Sequence, residues 1–303
     1  MPIESIASAG KEEGDSIVVS KPRVWPLFGL SLVELVFASA LQGLAVIALL
    51  LTARGENQSL QEAAQALPTR LMEPPIFVLM LVLSASSIIA AAFLFGWVSA
   101  KHQGCSVSER LGLRWPTIST LSLLSLMLGS IPVLLVSVGV VMLIEKVLPG
   151  DQSVLMLYKN ITNGWAIVFI IVIGVLPGFG EELFFRGFFQ RRMLQRFRPG
   201  VAIGVTSLVF GLFHVTPHGI ALATIIGVWL GVIAWRTNSV LPGACCHAFI
   251  NSGWNVYQVG RFHWGIPAVP PIWFSLAGGI VVLAAFAWSV RLLFRPNQAA
   301  EGD

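Results

Sequence analysis

The stretch WAIVFIIVIGVLPGFGEELFFRGFF, residues 165–189, begins as an apolar run and ends with two adjacent carboxylates and an arginine. A helix that spans a bilayer needs about 20 mostly apolar residues. Ionisable side chains are costly inside a membrane, and they usually serve a function there. The stretch therefore predicts a membrane helix that carries functional side chains at Glu181, Glu182 and Arg186.

The whole chain has the composition of a membrane protein. Of its 303 residues, 55% are hydrophobic and 11% are charged, and the mean hydropathy is +0.80. Soluble domains contain roughly 45–50% apolar residues. The sequence therefore excludes a soluble protein and predicts an all-α, polytopic membrane protein with about eight transmembrane helices. The predicted spans are 27–52, 76–100, 119–144, 164–190, 201–216, 219–235, 240–258 and 272–294.

The basic residues form short flanks of these apolar segments, which is typical of topology signals and does not predict binding to nucleic acid. With the amino terminus in the cytoplasm, thirteen Lys and Arg residues lie in cytoplasmic segments and five lie on the opposite side. Cytoplasmic loops carry an excess of Lys and Arg. We therefore predict that both termini are cytoplasmic.

Helical spacing separates the ionisable residues of the opening stretch. Glu182 and Arg186 are four residues apart, so they share one helix face and can pair. Glu181 is rotated from Glu182 by about 100° on the same helix and can point elsewhere. The Pro177–Gly178 step just upstream loosens the helix at the point where the carboxylates begin.

Two further polar motifs show the same spacing on later apolar segments. FGLFH, residues 210–214, places its Phe and its His on one face of the fifth segment. HAFIN, residues 247–251, places its His and its Asn on one face of the seventh segment. Side chains four residues apart on a helix project in nearly the same direction. Each motif can therefore direct its polar groups toward a common interior.

The depth of these side chains in the membrane is a further test of convergence. Counted from the cytoplasmic ends of their segments at about 1.5 Å per residue, Glu181, His214, His247 and Asn251 lie about 12–21 Å deep. These depths agree within the uncertainty of the segment ends. Three helices can therefore present one Glu, two His and one Asn at one level near the middle of the membrane.

Each polar residue also has a structural explanation when it is considered alone. An intramembrane His or Asn commonly joins helices by hydrogen bonds, and a Glu–Arg pair near a helix end commonly locks the fold or the topology. The four converging residues together favour a site. Outside the motifs, we expect Glu34 to be structural. We expect His218, at a helix end, and His263, in a loop, to be interfacial.

The three motifs EELFFR, FGLFH and HAFIN match, in this order, the EExxxR, FxxxH and HxxxN patterns of a known family. The chain thus resembles the CPBP (Abi) family of intramembrane proteases, which includes CAAX prenyl endoproteases and bacterial proteins linked to bacteriocin processing and immunity. The resemblance covers about residues 164–258. It implies an intramembrane endopeptidase in a bacterial plasma membrane that acts on a membrane-associated peptide or protein, with a lipidated substrate as one option.

The resemblance also implies a role for each motif residue. Peptide hydrolysis needs a base that activates water and donors that stabilise the oxyanion. By resemblance, Glu181 is the base and His214 helps to hold the water. His247 and Asn251 resemble the family's oxyanion donors. Glu182 and Arg186 occupy positions that look structural or tuning.

The resemblance leaves the question of a cofactor open. The family has often been labelled as metalloproteases, and Glu181, His214 and His247 could supply the three protein ligands of a catalytic zinc. The sequence contains no HExxH motif, and its three cysteines show no CxxC spacing. We expect a glutamate-type mechanism without a cofactor, with a zinc metalloendopeptidase as the alternative.

A non-enzymatic membrane protein is the competing interpretation. Buried Glu and His residues also suit a proton-coupled transporter, and an immunity factor needs no catalytic site. The Asn of HAFIN distinguishes the two classes of protein, because an oxyanion site uses an amide donor and a proton relay has little use for one.

The sequence divides into four predicted segments. They are a cytoplasmic tail (1–24), N-terminal transmembrane helices and loops (25–160), the catalytic core (161–260), and a last helix with its tail (261–303).

Overall fold

The computed structural model describes residues 22–54, 59–150, 153–267 and 271–295. Most of the predicted amino-terminal tail and the end of the carboxyl-terminal tail therefore lie outside the described residues. Within the described ranges the elements are twelve α-helices and one π-helical segment, with no strand.

The helices before the catalytic core are α1 (Trp25–Arg54), α2 (Leu60–Leu71), α3 (Pro74–Gln103), α4 (Val107–Leu111), α5 (Thr120–Glu145) and α6 (Ser153–Asn160). The core and the last helix are α7 (Asn163–Glu181), the π segment (Glu182–Gln190), α8 (Arg191–Leu194), α9 (Pro199–Leu212), α10 (Pro217–Thr237), α11 (Leu241–His263) and α12 (Ile272–Leu293).

Each of the eight predicted apolar segments forms a helix over most of its length, which confirms the all-α polytopic architecture. Six are long and apolar enough to cross a membrane, namely α1, α3, α5, the continuous α7–π–α8 helix, α10 and α12. The 14 residues of α9 rise about 21 Å, which is less than the hydrocarbon core of about 30 Å. Helix α11 has 23 residues, but because of its row of polar side chains it is not among these six apolar helices.

Two helix ends differ from their predictions. The spacing predicts a helix over 201–216, but α9 ends at Leu212 and His214 lies in the turn that follows. Pro217 begins α10, and a proline disfavours helical backbone in the residue before it. The second difference is at the end of α11, which continues to His263. This residue therefore ends a helix and does not lie in the predicted loop. Its ring Nε2 is 2.7 Å from the carbonyl oxygen of Tyr158.

The π segment lies at the centre of the bundle, because all nine of its residues are buried. Its phenylalanines contact aromatic rings of α1, α3 and α9, with centroid distances of 5.0–5.6 Å. Buried aromatic side chains contribute large apolar contact areas. The apolar side chains of residues 183–189 therefore form the core that surrounds the charged side chains of Glu182 and Arg186.

A buried arginine from α4 supports the backbone of the π segment. The guanidinium of Arg110 donates to the carbonyl oxygens of Gly187 and Phe188 at 3.4 and 3.3 Å, and to the hydroxyl of Ser99 at 2.7 Å. Burial lowers the pKa of Arg110 to about 10, so the group remains charged at neutral pH. π-helical turns are rare and occur frequently at functional sites. Arg110, from the N-terminal half of the chain, thus helps to stabilise the irregular backbone of the π segment.

The outer surface is apolar where α1, α5 and α12 face outward. Large hydrophobic side chains such as Leu32, Leu135 and Ile280 are exposed on these helices. Contiguous apolar surface of this kind marks contact with a membrane or a partner. Because six helices are long and apolar enough to cross a membrane, we infer that this surface contacts lipid.

Candidate active site

A cavity of about 630 Å³ lies inside the bundle. Four of the six predicted site residues line it, namely Glu181, His214, His247 and Asn251. The other two, Glu182 and Arg186, lie behind its wall, and their side chains are fully buried. The structure therefore brings the three motifs together but divides their polar groups between a cavity face and a buried face.

The imidazole of His247 lies between the two adjacent glutamates. Its Nδ1 is 3.1 Å from Oε1 of Glu182, and its Nε2 is 3.7 Å from Oε2 of Glu181. Oε1 of Glu182 also accepts a hydrogen bond from Arg186, so Nδ1 of His247 is the donor in the first contact. This bond fixes the ring and directs Nε2 toward Glu181 and the cavity.

The pair of Glu182 and Arg186 is confirmed at the predicted spacing, with 2.6 Å between the carboxylate and Nη1. Nη2 of the same guanidinium donates to the carbonyl oxygen of Gly227 at 3.0 Å, and its carbon lies 4.5 Å from the centre of the Phe210 ring. A buried ion pair needs such further contacts to offset its loss of hydration. The guanidinium therefore joins the π segment to both α9 and α10.

Two glycines of α10 make room for the polar row of the π segment. Gln190 continues the row that starts at Glu182 and Arg186, and it donates to the carbonyl oxygen of Gly231 at 2.9 Å. A Cβ at Gly227 would lie 3.2 Å from Nη2 of Arg186, and one at Gly231 would lie 2.7 Å from Oε1 of Gln190. The absence of side chains at these positions permits both backbone hydrogen bonds.

His214 keeps one ring nitrogen free for the cavity, although it lies beyond the end of α9. Its Nδ1 is 3.1 Å from the carbonyl oxygen of Phe210, and a carbonyl only accepts. Nδ1 therefore carries the proton, and Nε2 is an acceptor. Its ring also contacts the Phe210 ring edge-on at 5.1 Å between centroids.

Asn251 lies on α11 one turn beyond His247. Its side-chain amide makes no hydrogen bond to any other residue that the structure describes, and it borders the cavity. Its backbone carbonyl accepts a hydrogen bond from Nδ2 of Asn255 at 2.8 Å, and Oδ1 of Asn255 accepts one from the Tyr158 hydroxyl at 2.6 Å. Burial raises the pKa of Tyr158 to about 12, which keeps this hydroxyl a donor. This chain of bonds ties α6 to the wall that carries Asn251.

The zinc alternative depends on the arrangement of the His, Cys, Asp and Glu side chains around the cavity. Within the described ranges, no group of three or more His, Cys, Asp and Glu side chains is arranged to hold a metal ion. Nδ1 of His247 is bonded to Glu182, and Nδ1 of His214 is bonded to a backbone carbonyl. These bonds leave Nε2 of both rings available, which is the usual arrangement of a metal-binding histidine, so zinc bound by Glu181, His214 and His247 stays an alternative and the absence of a cofactor stays a prediction.

Several residues around the site were not predicted from the sequence. Glu34, which we expected to be structural, is buried and lines the cavity together with Tyr158. Gln190 extends the buried polar row. The Gly227-x-x-x-Gly231 spacing is a sequence signal that could have indicated close helix packing, whereas no local pattern points to Tyr158.

A comparison with known families agrees with the motifs. Residues 163–253 match the model of the family described as type II CAAX prenyl endopeptidase, Rce1-like. The match covers less than a third of the chain, and it contains all six predicted site residues. No curated protein and no solved structure matches the chain. The family match confirms the resemblance inferred from the three motifs and, together with the six apolar helices, supports an intramembrane protease at the family level.

Proposed function

We propose that this chain is a glutamate-dependent intramembrane endopeptidase that hydrolyses a peptide bond of a membrane-associated substrate. One observation carries the proposal: Glu181, His214, His247 and Asn251, from three separate motifs, border a single cavity inside a helical bundle. The mainly apolar remainder of the lining suits an apolar or lipidated segment of a substrate. The family name refers to CAAX prenyl substrates, and a prenylated protein is therefore one candidate of this class.

Glu181 is the proposed general base. Its side chain is 21% exposed, so it can reach a water molecule in the cavity, whereas Glu182 is fully enclosed. His214 presents Nε2 as an acceptor and can orient the same water through its second hydrogen. The water gives one proton to Glu181 while its oxygen attacks the carbonyl carbon of the substrate. The protonated Glu181 then supplies this proton to the leaving amine nitrogen as the C–N bond breaks.

His247 and Asn251 are the proposed donors to the oxyanion. The free amide of Asn251 supplies N–H groups. Nε2 of His247 donates only when the ring carries both protons, because Nδ1 already holds one for Glu182. The carboxylates at 3.1 and 3.7 Å provide counter-ions for such an imidazolium. Donors fixed in position before the reaction stabilise the developing charge without reorganisation.

Glu182 and Arg186 are proposed to position His247. Arg186 holds Glu182, and Glu182 holds Nδ1 of the ring, so the orientation of Nε2 depends on a contact outside the cavity. Gln190 and the glycines of α10 extend the same support toward the boundary of the membrane. The residues that border the cavity are thus proposed to act on the substrate, and the enclosed residues Glu182 and Arg186 are proposed to hold His247 in place.

The glutamate mechanism predicts that strong chelation leaves hydrolysis unchanged within about twofold, because no step uses a metal ion. The measurement is turnover of purified protein before and after dialysis against a chelator, with metal content determined on the same sample. A loss of turnover that zinc restores would replace this mechanism with the zinc alternative.

The proposal is tested by mapping new protein termini in membranes of cells that carry the wild-type chain or the Glu181→Ala variant. We expect a set of cleaved membrane proteins that appears only with the wild type. Identical termini in both samples would reject the protease and favour a transporter or an immunity factor. The orientation of the chain and the bacterial plasma membrane as its location stay predictions.

A further inference from the structure

A second carboxylate borders the cavity, and the proposed mechanism does not use it. Glu34 lies on α1, far in sequence from the three motifs, and only 3% of its surface is exposed. Its Oε1 accepts a hydrogen bond from the hydroxyl of Ser87 on α3 at 2.8 Å. Within the residues that the structure describes, Ser87 is its one hydrogen-bond partner and no cation pairs with it.

The charges around the cavity are unbalanced. Two glutamates, Glu34 and Glu181, line it, and the described lining contains no lysine and no arginine. The nearby guanidinium of Arg186 is enclosed behind the wall and is bonded to Glu182. A buried carboxylate without a cationic partner is unfavourable, so the cavity is suited to receive a cation from outside the chain.

One turn of α3 links Glu34 to the catalytic region. Ser87 holds Glu34 on one side of this helix, while Ala85 and Ile89 pack on Gly180 on the other side. A Cβ at Gly180 would lie 2.8 Å from Ile89 and 3.3 Å from the carbonyl oxygen of Ala85. Because Gly180 precedes Glu181, the two cavity glutamates lie at the same level of the bundle.

Helix spacing sets the distance between the two carboxylates. Packed helices have axes about 8–10 Å apart, and both side chains reach into the common cavity from helices that flank α3. Because α3 lies between them, the axes of α1 and α7 are about 16–20 Å apart, and side chains that reach inward leave about 10–15 Å between the carboxylates, the length of three or four residues of extended peptide. A substrate with its scissile bond at Glu181 would thus bring a residue three or four positions away to Glu34.

We propose that Glu34 forms an acidic subsite of the cavity, which binds a lysine or arginine side chain of the substrate three or four residues from the scissile bond. The inference rests on the proposed protease function, because it places the substrate at Glu181. It assigns a role in substrate selection to α1 and α3, which lie outside the segment that matches the family.

Binding of paired peptides tests the subsite without requiring cleavage. Each pair carries lysine or norleucine at one position, scanned along an otherwise neutral apolar peptide, and binding to the full-length Glu181→Gln protein is measured by fluorescence anisotropy in uncharged detergent. At one position we expect lysine to strengthen binding by about 10- to 100-fold, the range for a buried hydrogen bond to a charged group. The net charge of +4 on the chain opposes nonspecific binding of the lysine peptide.

Two substitutions separate the charge of Glu34 from its structural contact. Glu34→Gln keeps an oxygen that accepts from Ser87 but removes the charge, and it should bring the lysine-to-norleucine ratio close to one. Glu34→Asp keeps the charge and should retain most of the preference. Glu73→Gln changes an exposed glutamate at the start of α3 and should leave the ratio unchanged.

The result distinguishes failure of the subsite from failure of the protease function. The subsite is rejected when no position prefers lysine, when the ratio survives Glu34→Gln, or when the Gln and Asp variants lose it equally. Cleavage of the best peptide is measured separately with Glu181 restored. A preference that depends on Glu34 without any cleavage would retain the subsite and reject the protease.

Discussion

Glu181 and Glu182 are neighbours in the chain, but they belong to two different regions of the molecule. Glu181 borders the cavity with a partly exposed side chain, and its carboxylate lies 3.7 Å from Nε2 of His247. Glu182 is fully buried and bonded to both Arg186 and His247. A charged residue in a membrane helix can therefore face reactants or support the fold. Substitution should mainly lower turnover in the first case and stability in the second.

The largest expected effect is on turnover, at the cavity face. Glu181→Gln removes the proposed base and should lower turnover by at least about 10²–10⁴-fold. Thermal melting in detergent should stay close to that of the wild type, because the fully buried pair of Glu182 and Arg186 stays intact. The neighbouring Glu182→Gln variant is the matched comparison and should lower the melting temperature. If Glu181→Gln keeps near-wild-type turnover per folded molecule, the catalytic assignment is wrong.

The next effect is on stability, at the buried face. Arg186→Ala leaves Glu182 without its cation and should cost about 3–5 kcal/mol, because a single charge then remains buried. The loss should appear as lower folded yield and lower melting temperature. Replacing both Glu182 and Arg186 by leucine should recover much of this stability. Turnover of the double variant should remain low, because His247 loses its anchor.

A smaller effect is expected at Asn251, which returns to the cavity face. Asn251→Ala removes one of two proposed oxyanion donors and should lower kcat by about 10²–10³-fold. Stability should change little, because the side-chain amide bonds to no other described residue. The measurement is kcat and KM on one peptide with melting in parallel. A change confined to KM would assign Asn251 to substrate binding.

The smallest expected effect concerns the glycines that accommodate the buried row. Gly231→Ala would place a Cβ 2.7 Å from Gln190 and 2.9 Å from Ile203, so we expect a loss of about 1–3 kcal/mol from overpacking. Gly204→Ala is the matched control on α9, with no atom within 4 Å of the new Cβ. It should be neutral or stabilise by up to about 1 kcal/mol. Equal melting temperatures for the two variants would show that the row tolerates displacement.

Much of the geometry of the candidate site was predictable because its residues obey local helical spacing. Glu182 and Arg186 pair as their separation of four residues predicts. His247 and Asn251 share a face of α11 for the same reason. The prediction for His214 was only half right, since its ring points as expected but the helix ends before it. The proline that begins α10 carried the signal for this end.

The sequence by itself determined the membrane environment, the positions of the helices and the identity of the three motifs. These properties depend on the composition of continuous segments and on spacings of three to five residues. The tertiary structure decided which glutamate borders the cavity, that Arg110 supports the π segment, and that Glu34 joins the lining. Those outcomes depend on contacts such as Arg110 with Gly187 and Glu34 with Ser87, which are 77 and 53 residues apart in the chain. No local pattern encodes such contacts, because they form only when whole helices pack against one another.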